Sequence, residues 1–110
     1  MNNLSQLKNM SGFLAAAEFN ADGQVLKKEG HLDNEVGTML ADLCAANMRM
    51  GQMQARGFSK FSGLKGFEEC KGFAVSGPSI SLCVLGNIVV MVENSQCDFN
   101  EVFNILKTNN

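Results

Sequence analysis

A chain of 110 residues, 45% hydrophobic and 18% charged, is sized for one soluble domain (1–110) that buries a core without help from disulfides or metal. Its net charge of −2, with the lysines scattered at Lys27, Lys28, Lys60, Lys65 and Lys71, excludes the basic footprint of a nucleic-acid binder. The longest apolar run, Ile88 to Val92, falls far short of the roughly 20 residues of a membrane span, and Met1 to Gln6 has neither a basic nor an apolar run, so no membrane segment or signal peptide is expected and the reading is cytoplasmic.

Leu4, Leu7 and Met10 predict a short first helix, ended by Ser11-Gly12. Phe13 to Phe19 follows as a strand of weak propensity. Asn20-Ala21-Asp22-Gly23 is a hairpin signal, and Val25 to Glu29 is the return strand. Asp33 is a good N-cap for a long helix predicted to end around Gly57. Phe58 to Cys70 reads as a Gly/Ser/Lys-rich loop carrying Phe58, Phe61 and Phe67. Three strands come next: Gly72 to Gly77, Ile80 to Leu85 and Ile88 to Glu93. Gly86-Asn87 links the last two, and the nearly continuous apolar run of the third suits a central strand covered on both faces. Asp98-x-x-Glu101 looks like a capping box, and Phe99, Val102, Phe103 and Leu106 follow at amphipathic-helix spacing. The order is α-β-β-α-β-β-β-α, with hairpin links, so an α+β fold with one five-stranded antiparallel sheet is expected.

The long helix is the most informative element. Glu35, Asp42, Arg49 and Arg56 recur every seven residues and form one narrow charged stripe. Most of the remaining circumference is apolar or small. A surface helix of a lone domain needs one apolar face, and this helix has two. One can cover the sheet; the other calls for a partner. Four methionines lie on this helix, Met39, Met48, Met50 and Met53. Core packing is the simpler reading of them, and a soft contact surface is the sharper one.

Chemistry is harder to find. The single histidine, His31, sits at a strand-to-helix turn and reads as a surface or cap residue. Glu18 and Asp22 mark a strand end and a turn. Gly63 and Gly66 with Lys60 and Lys65 lack the spacing of a phosphate loop. Cys44, Cys70, Cys83 and Cys97 show no close pair of the kind zinc sites use. Cys44 and Cys83 read as buried thiols, whereas Cys70 and Cys97 lie near turn signals and are the candidates for reactive thiols. No metal, cofactor or catalytic residue is expected.

The early strand with Asp22-Gly23 and Val25-Leu26, the helix from Glu35 to Met53, and the run Phe73-Ala74-Val75 … Leu82 to Val92 together resemble the roadblock family, named after a dynein light chain and built on a profilin-like or longin-like sheet. Leu43 to Asn47, Gln52 to Ala55 and Lys71 to Val75 resemble a prokaryotic branch of it for which no activity is established. The resemblance implies a non-enzymatic homodimer in which long helices pack together and the strands after them join into one sheet. Met39, Leu43, Ala46, Met50, Met53, Phe73 and Val75 are then the expected dimer residues, and Phe58, Phe61 and Phe67 a partner surface. It also implies a protein partner, with a small Ras-like GTPase first in line. Two rivals are an accessory protein of a prokaryotic sulfur or redox pathway, either binding a small ligand on its sheet or handling a persulfide through an exposed thiol at Cys70 or Cys97, and a pure scaffold.

Overall fold

A computed structural model of the chain describes residues 4–66 and 68–109. Its elements are a 3₁₀ helix (Leu4–Asn9), β1 (Phe13–Phe19), β2 (Val25–Gly30), α1 (Asn34–Ser62), β3 (Gly72–Ser76), β4 (Ile80–Leu85), β5 (Ile88–Glu93) and α2 (Phe99–Thr108). The five strands form one antiparallel sheet in the order β2-β1-β5-β4-β3. β5 is central, as its apolar run predicts: Ile88, Val89, Val90 and Val92 are fully buried.

The sheet separates two cores. On one face Ala15, Ala17, Phe19, Val84 and Val89 meet Leu40, Ala41, Cys44 and Ala45 of α1. On the other, Ala16, Ile88, Val90 and Val92 meet Leu4 and Leu7 of the 3₁₀ helix and Val102 and Leu106 of α2. Strand alternation divides the residues this way, because successive side chains point to opposite faces. Among the described residues the result is three layers, with α1 alone on one side.

Local chemistry sets the element ends. The Asn20 carboxamide oxygen accepts from the N–H groups of Asp22 and Gln24, each at 3.0 Å, and Gly23 takes φ +82° to close the β1–β2 turn. Asp33 caps α1 by accepting from Val36 N at 2.8 Å. The helix then runs five residues past the expected stop, to Ser62, where Gly63 caps it with φ +66° and its N–H on Ser59 O. Gly57 stays helical because only a residue in left-handed backbone ends a helix this way, and Gly57 does not adopt it. Phe58 and Phe61 therefore lie on α1 and not in a loop; Phe67 lies outside the described residues.

The capping box at α2 is half made. Asp98 accepts from Asn100 N at 2.9 Å, but the Glu101 carboxylate turns to Ser11 N at 3.4 Å instead of reaching back. That bond pins α2 to the start of β1. The first predicted helix is realised as a 3₁₀ turn that buries Leu4 and Leu7.

Candidate protein-interaction surface

The two apolar faces expected of α1 are both present. The inner face holds small residues: Gly37, Ala41, Cys44, Ala45 and Ala55 are buried, with Leu40 the one large side chain among them. The outer face holds large ones. Met39, Leu43, Met50 and Met53 are 57%, 54%, 58% and 70% exposed, and Phe61 is 94% exposed. Val36 and Phe58 are exposed as well, and Ala46 is half-buried. Three of the four helix methionines thus face outward, and only Met48 packs toward the α1 core. Core packing, the simpler sequence reading, fails for Met39, Met50 and Met53.

The charged stripe has a local job. Arg49 Nη1 donates to Ala21 O at 3.2 Å, and Asp42 stands so close to Gly23 that a Cβ there would lie 2.8 Å from its carboxylate oxygen. These two residues seat the β1–β2 hairpin tip against α1. They occupy the flank away from β3, which leaves the apolar outer face uninterrupted.

The C-terminal half of α1 reaches over β3. Gln52 binds the backbone of Cys70 at both ends, Nε2 to its O at 2.8 Å and Oε1 from its N at 3.1 Å. The Cys70 sulfur fills the notch at Gly51, where a Cβ would come within 2.6 Å. This clamp fixes the chain entering β3 against the helix. Neither Gly51 nor Gln52 belongs to an apolar period, and the resemblance carried by Gln52 to Ala55 gives Gln52 no structural role, so the clamp itself had no sequence signal.

A hollow straddles the β3 edge. On the α1 side it is lined by Met50, Phe58, Phe73 and Val75; on the other it is lined by Ala74 and the α2 residues Phe99 and Phe103. Phe73 is half-buried against the α1 core, while Val75 is 52% exposed. Of the expected dimer residues, the structure brings Met50, Phe73 and Val75 to this one hollow, and Met39, Leu43 and Ala46 continue it along α1. The amphipathic stripe of α2 divides: Val102 and Leu106 are buried, but Phe99 and Phe103 are 45% and 52% exposed. Their i, i+4 spacing on the flank of the stripe was the available signal, but amphipathic spacing by itself does not separate them from Val102 and Leu106.

The two sheet edges differ in chemistry. β2 reads Val-Leu-Lys-Lys-Glu-Gly, and β3 reads Gly-Phe-Ala-Val-Ser without a charge. Charged edge strands resist further strand pairing, and uncharged ones invite it.

The thiols divide as the sequence suggests in location. Cys44 and Cys83 are buried, Cys70 and Cys97 half-buried. Burial in apolar surroundings pushes the Cys44 thiol up to about 11 and raises that of Cys83, with a smaller contribution from neighbouring Cys97. Cys70 Sγ donates to Gly72 O at 3.3 Å, and Cys97 Sγ lies 3.9 Å from Asn94 O. His31 is exposed, and Glu18 is buried beside Asn87, whose side-chain nitrogen lies 3.4 Å from its carboxylate. Among the described residues no three His, Cys, Asp or Glu side chains are grouped to hold a metal ion, and no helix is long and apolar enough to cross a membrane.

The sheet order, the single long helix and the terminal helices define a roadblock-like fold. A Roadblock/LC7 domain from Streptomyces avermitilis superposes with a TM-score of 0.80 at 16% identity, over 94% of this chain and 84% of that one. The gliding protein MglB from Thermus thermophilus does so at 0.71 and 18% identity, over 96% and 78%. An MglB with tetrameric arrangement gives 0.76 at 20% identity, over 96% and 78%. At family level the chain belongs to the group described as Uncharacterized conserved protein (DUF2173), whose model matches residues 3–108. No curated protein matches it.

Proposed function

We propose that this chain is a non-enzymatic homodimeric module that regulates a protein partner in the cytoplasm, with a small Ras-like GTPase as the partner class. The observation that carries the reading is the continuous apolar surface from the outer face of α1 onto the uncharged β3 edge. A small domain gains nothing by exposing that surface to water.

The backbone of β3 suits a second copy. Gly86 N donates to Lys71 O, and Gly77 N donates to Ile80 O, both at 2.8 Å, at the two ends of the β3–β4 ladder. In an antiparallel ladder this aims the polar groups of the odd-numbered residues at β4 and those of Gly72, Ala74 and Ser76 outward. A second β3 placed antiparallel about Ala74 would bring Gly72 opposite Ser76 and Ala74 opposite its own copy. The same register would set Phe73 against Val75 of the second copy beneath the helices. The partner class rests on the roadblock likeness, and MglB shares the fold. The persulfide reading draws less support, since Cys70 is packed into the Gly51 notch and Cys97 is half-buried.

Sedimentation equilibrium tests the dimer, and mixing with the purified small GTPases of the same genome tests the partner. A dimer that binds one GTPase in a nucleotide-dependent way and alters its hydrolysis rate is expected. A monomer at millimolar concentration, or a dimer inert toward every GTPase, refutes the corresponding half.

A further inference from the structure

The face of the sheet opposite α1 carries an apolar overhang that strand and helix pairing leave unused. α2 packs on the β4 side of the sheet through Val102 and Leu106. Phe99 and Phe103 project from its flank toward β3 and stay half exposed. The floor beneath that flank is made of small side chains. Ala74 and Cys83 line the hollow, and Ser76 and Ser81 continue the same face, joined Oγ to Oγ at 2.9 Å. Glu101, the nearest carboxylate on α2, is drawn to Ser11 on the opposite side.

We propose that α2 forms a second layer of the homodimer contact, with Phe99 and Phe103 of the two copies meeting above the joined β3 strands. The proposal rests on the dimer reading above and adds to it a residue set on the other face. The occupant follows from spacing. From β4 to β4 of the second copy, across both β3 strands, is three strand steps, or about 14 Å. That exceeds the roughly 8–10 Å of ordinary helix contact. Helix backbones about 2.3 Å in radius would leave a slot of about 9–10 Å for side chains to fill between the two α2 helices. Such a slot is too narrow for a third helix and too wide for small side chains to close. Phenylalanine is the side chain that spans it, and the small floor lets the rings settle toward the sheet. A flank built for solvent would carry polar residues at 99 and 103.

Sedimentation equilibrium of the full chain with Phe99→Ser and Phe103→Ser separates this from the dimer reading. Both residues are exposed in the single copy, so each variant should keep the fold, as circular dichroism at low concentration checks. Each is expected to raise the dimer Kd at least tenfold. Ala74→Pro, which removes an outward N–H of β3, reports on strand pairing. Isotope-filtered NOE spectra of a mixed-label wild-type dimer should show Phe103 ring contacts across the two copies. A dimer weakened by Ala74→Pro but unchanged by both serine variants overturns the α2 layer and spares the dimer. Serine variants that lose a GTPase and keep the dimer also overturn it, because the flank then serves another protein. A wild-type chain that stays monomeric at millimolar concentration overturns both.

Discussion

Met50→Glu puts the association surface to a quantitative test. Met50 lies at the centre of the outer face of α1 and at the rim of the hollow beside β3. It leaves 58% of its surface open in a single copy, so that fraction is what a second copy could still bury. Complete burial of a methionine side chain contributes about 1.5–3 kcal/mol, so the open part is worth about 0.9–1.7 kcal/mol. Two-fold symmetry counts the change twice, giving about 1.7–3.5 kcal/mol. The dimer Kd should therefore rise about 20- to 400-fold, before any cost of desolvating the carboxylate. Glutamate and methionine have similar helix propensities, so α1 should not fray. Sedimentation equilibrium gives the Kd, and a melt at a concentration where wild type is monomeric gives the protomer's own stability. An unchanged Kd would mean that Met50 faces water in the dimer and that the apolar outer face is not the contact. An equal loss of monomer stability would mean that the residue supports the fold.

The other expectations concern the fold and the thiols. Asp33→Ala removes the bond from Val36 N and should cost about 0.5–2 kcal/mol in a thermal melt. Gly63→Ala forces a side chain into left-handed backbone at φ +66° and should cost about 1–2 kcal/mol, read the same way. Cys44 ionises in the native state only near pH 11, against about 9 for an ordinary thiol, so the folded state holds its proton longer than the unfolded state. Its contribution to stability is present below about pH 9 and falls as pH rises toward 11, which alkaline denaturation of wild type against Cys44→Ala should show. Alkylation of native protein at pH 8 should spare Cys44 and Cys83 and modify Cys70 or Cys97 first, by peptide mass mapping.

The strands were legible because their signals are local. Phe13–Phe19, Ile80–Leu85 and Ile88–Glu93 fall where weak propensity, alternation and a continuous apolar run, each bounded by turn residues, put them. The two-faced α1 was legible for the same reason, as a surplus of apolar positions over what one face needs. Two features lay beyond the reach of periodicity. Gly57 looked like a helix stop, and the exposure of Phe99 and Phe103 could not be read, because periodicity locates a face but not the depth of its cover. Whether a glycine ends a helix depends on the left-handed turn that Gly63 makes with Ser59. Whether Phe103 is buried depends on how far the sheet extends beneath it, and the sheet ends at β3. The clamp from Gln52 to Cys70 was out of reach, since it joins residues 18 apart through an amide that has no period.

The side-chain sizes on α1 invert the usual arrangement of a surface helix. Alanine, glycine and cysteine dominate the face toward the sheet, and methionine, leucine and phenylalanine dominate the face away from it. Small inner residues let α1 lie close over Ala15 and Ala17 of β1, but they bury little apolar area per residue. Much of the helix's capacity for apolar burial is therefore on the outside, where one copy alone cannot use it. On this reasoning folding and association are coupled, and apparent stability follows mass action. Melting temperature should rise with concentration in wild type. In Met50→Glu and Met53→Glu the rise should begin only at higher concentration, with the dilute-protein value holding across the range in which wild type dimerises. A wild-type melting temperature that does not move across a hundredfold range of concentration around the measured Kd would show that the inner face suffices, and would remove the energetic argument for a second copy.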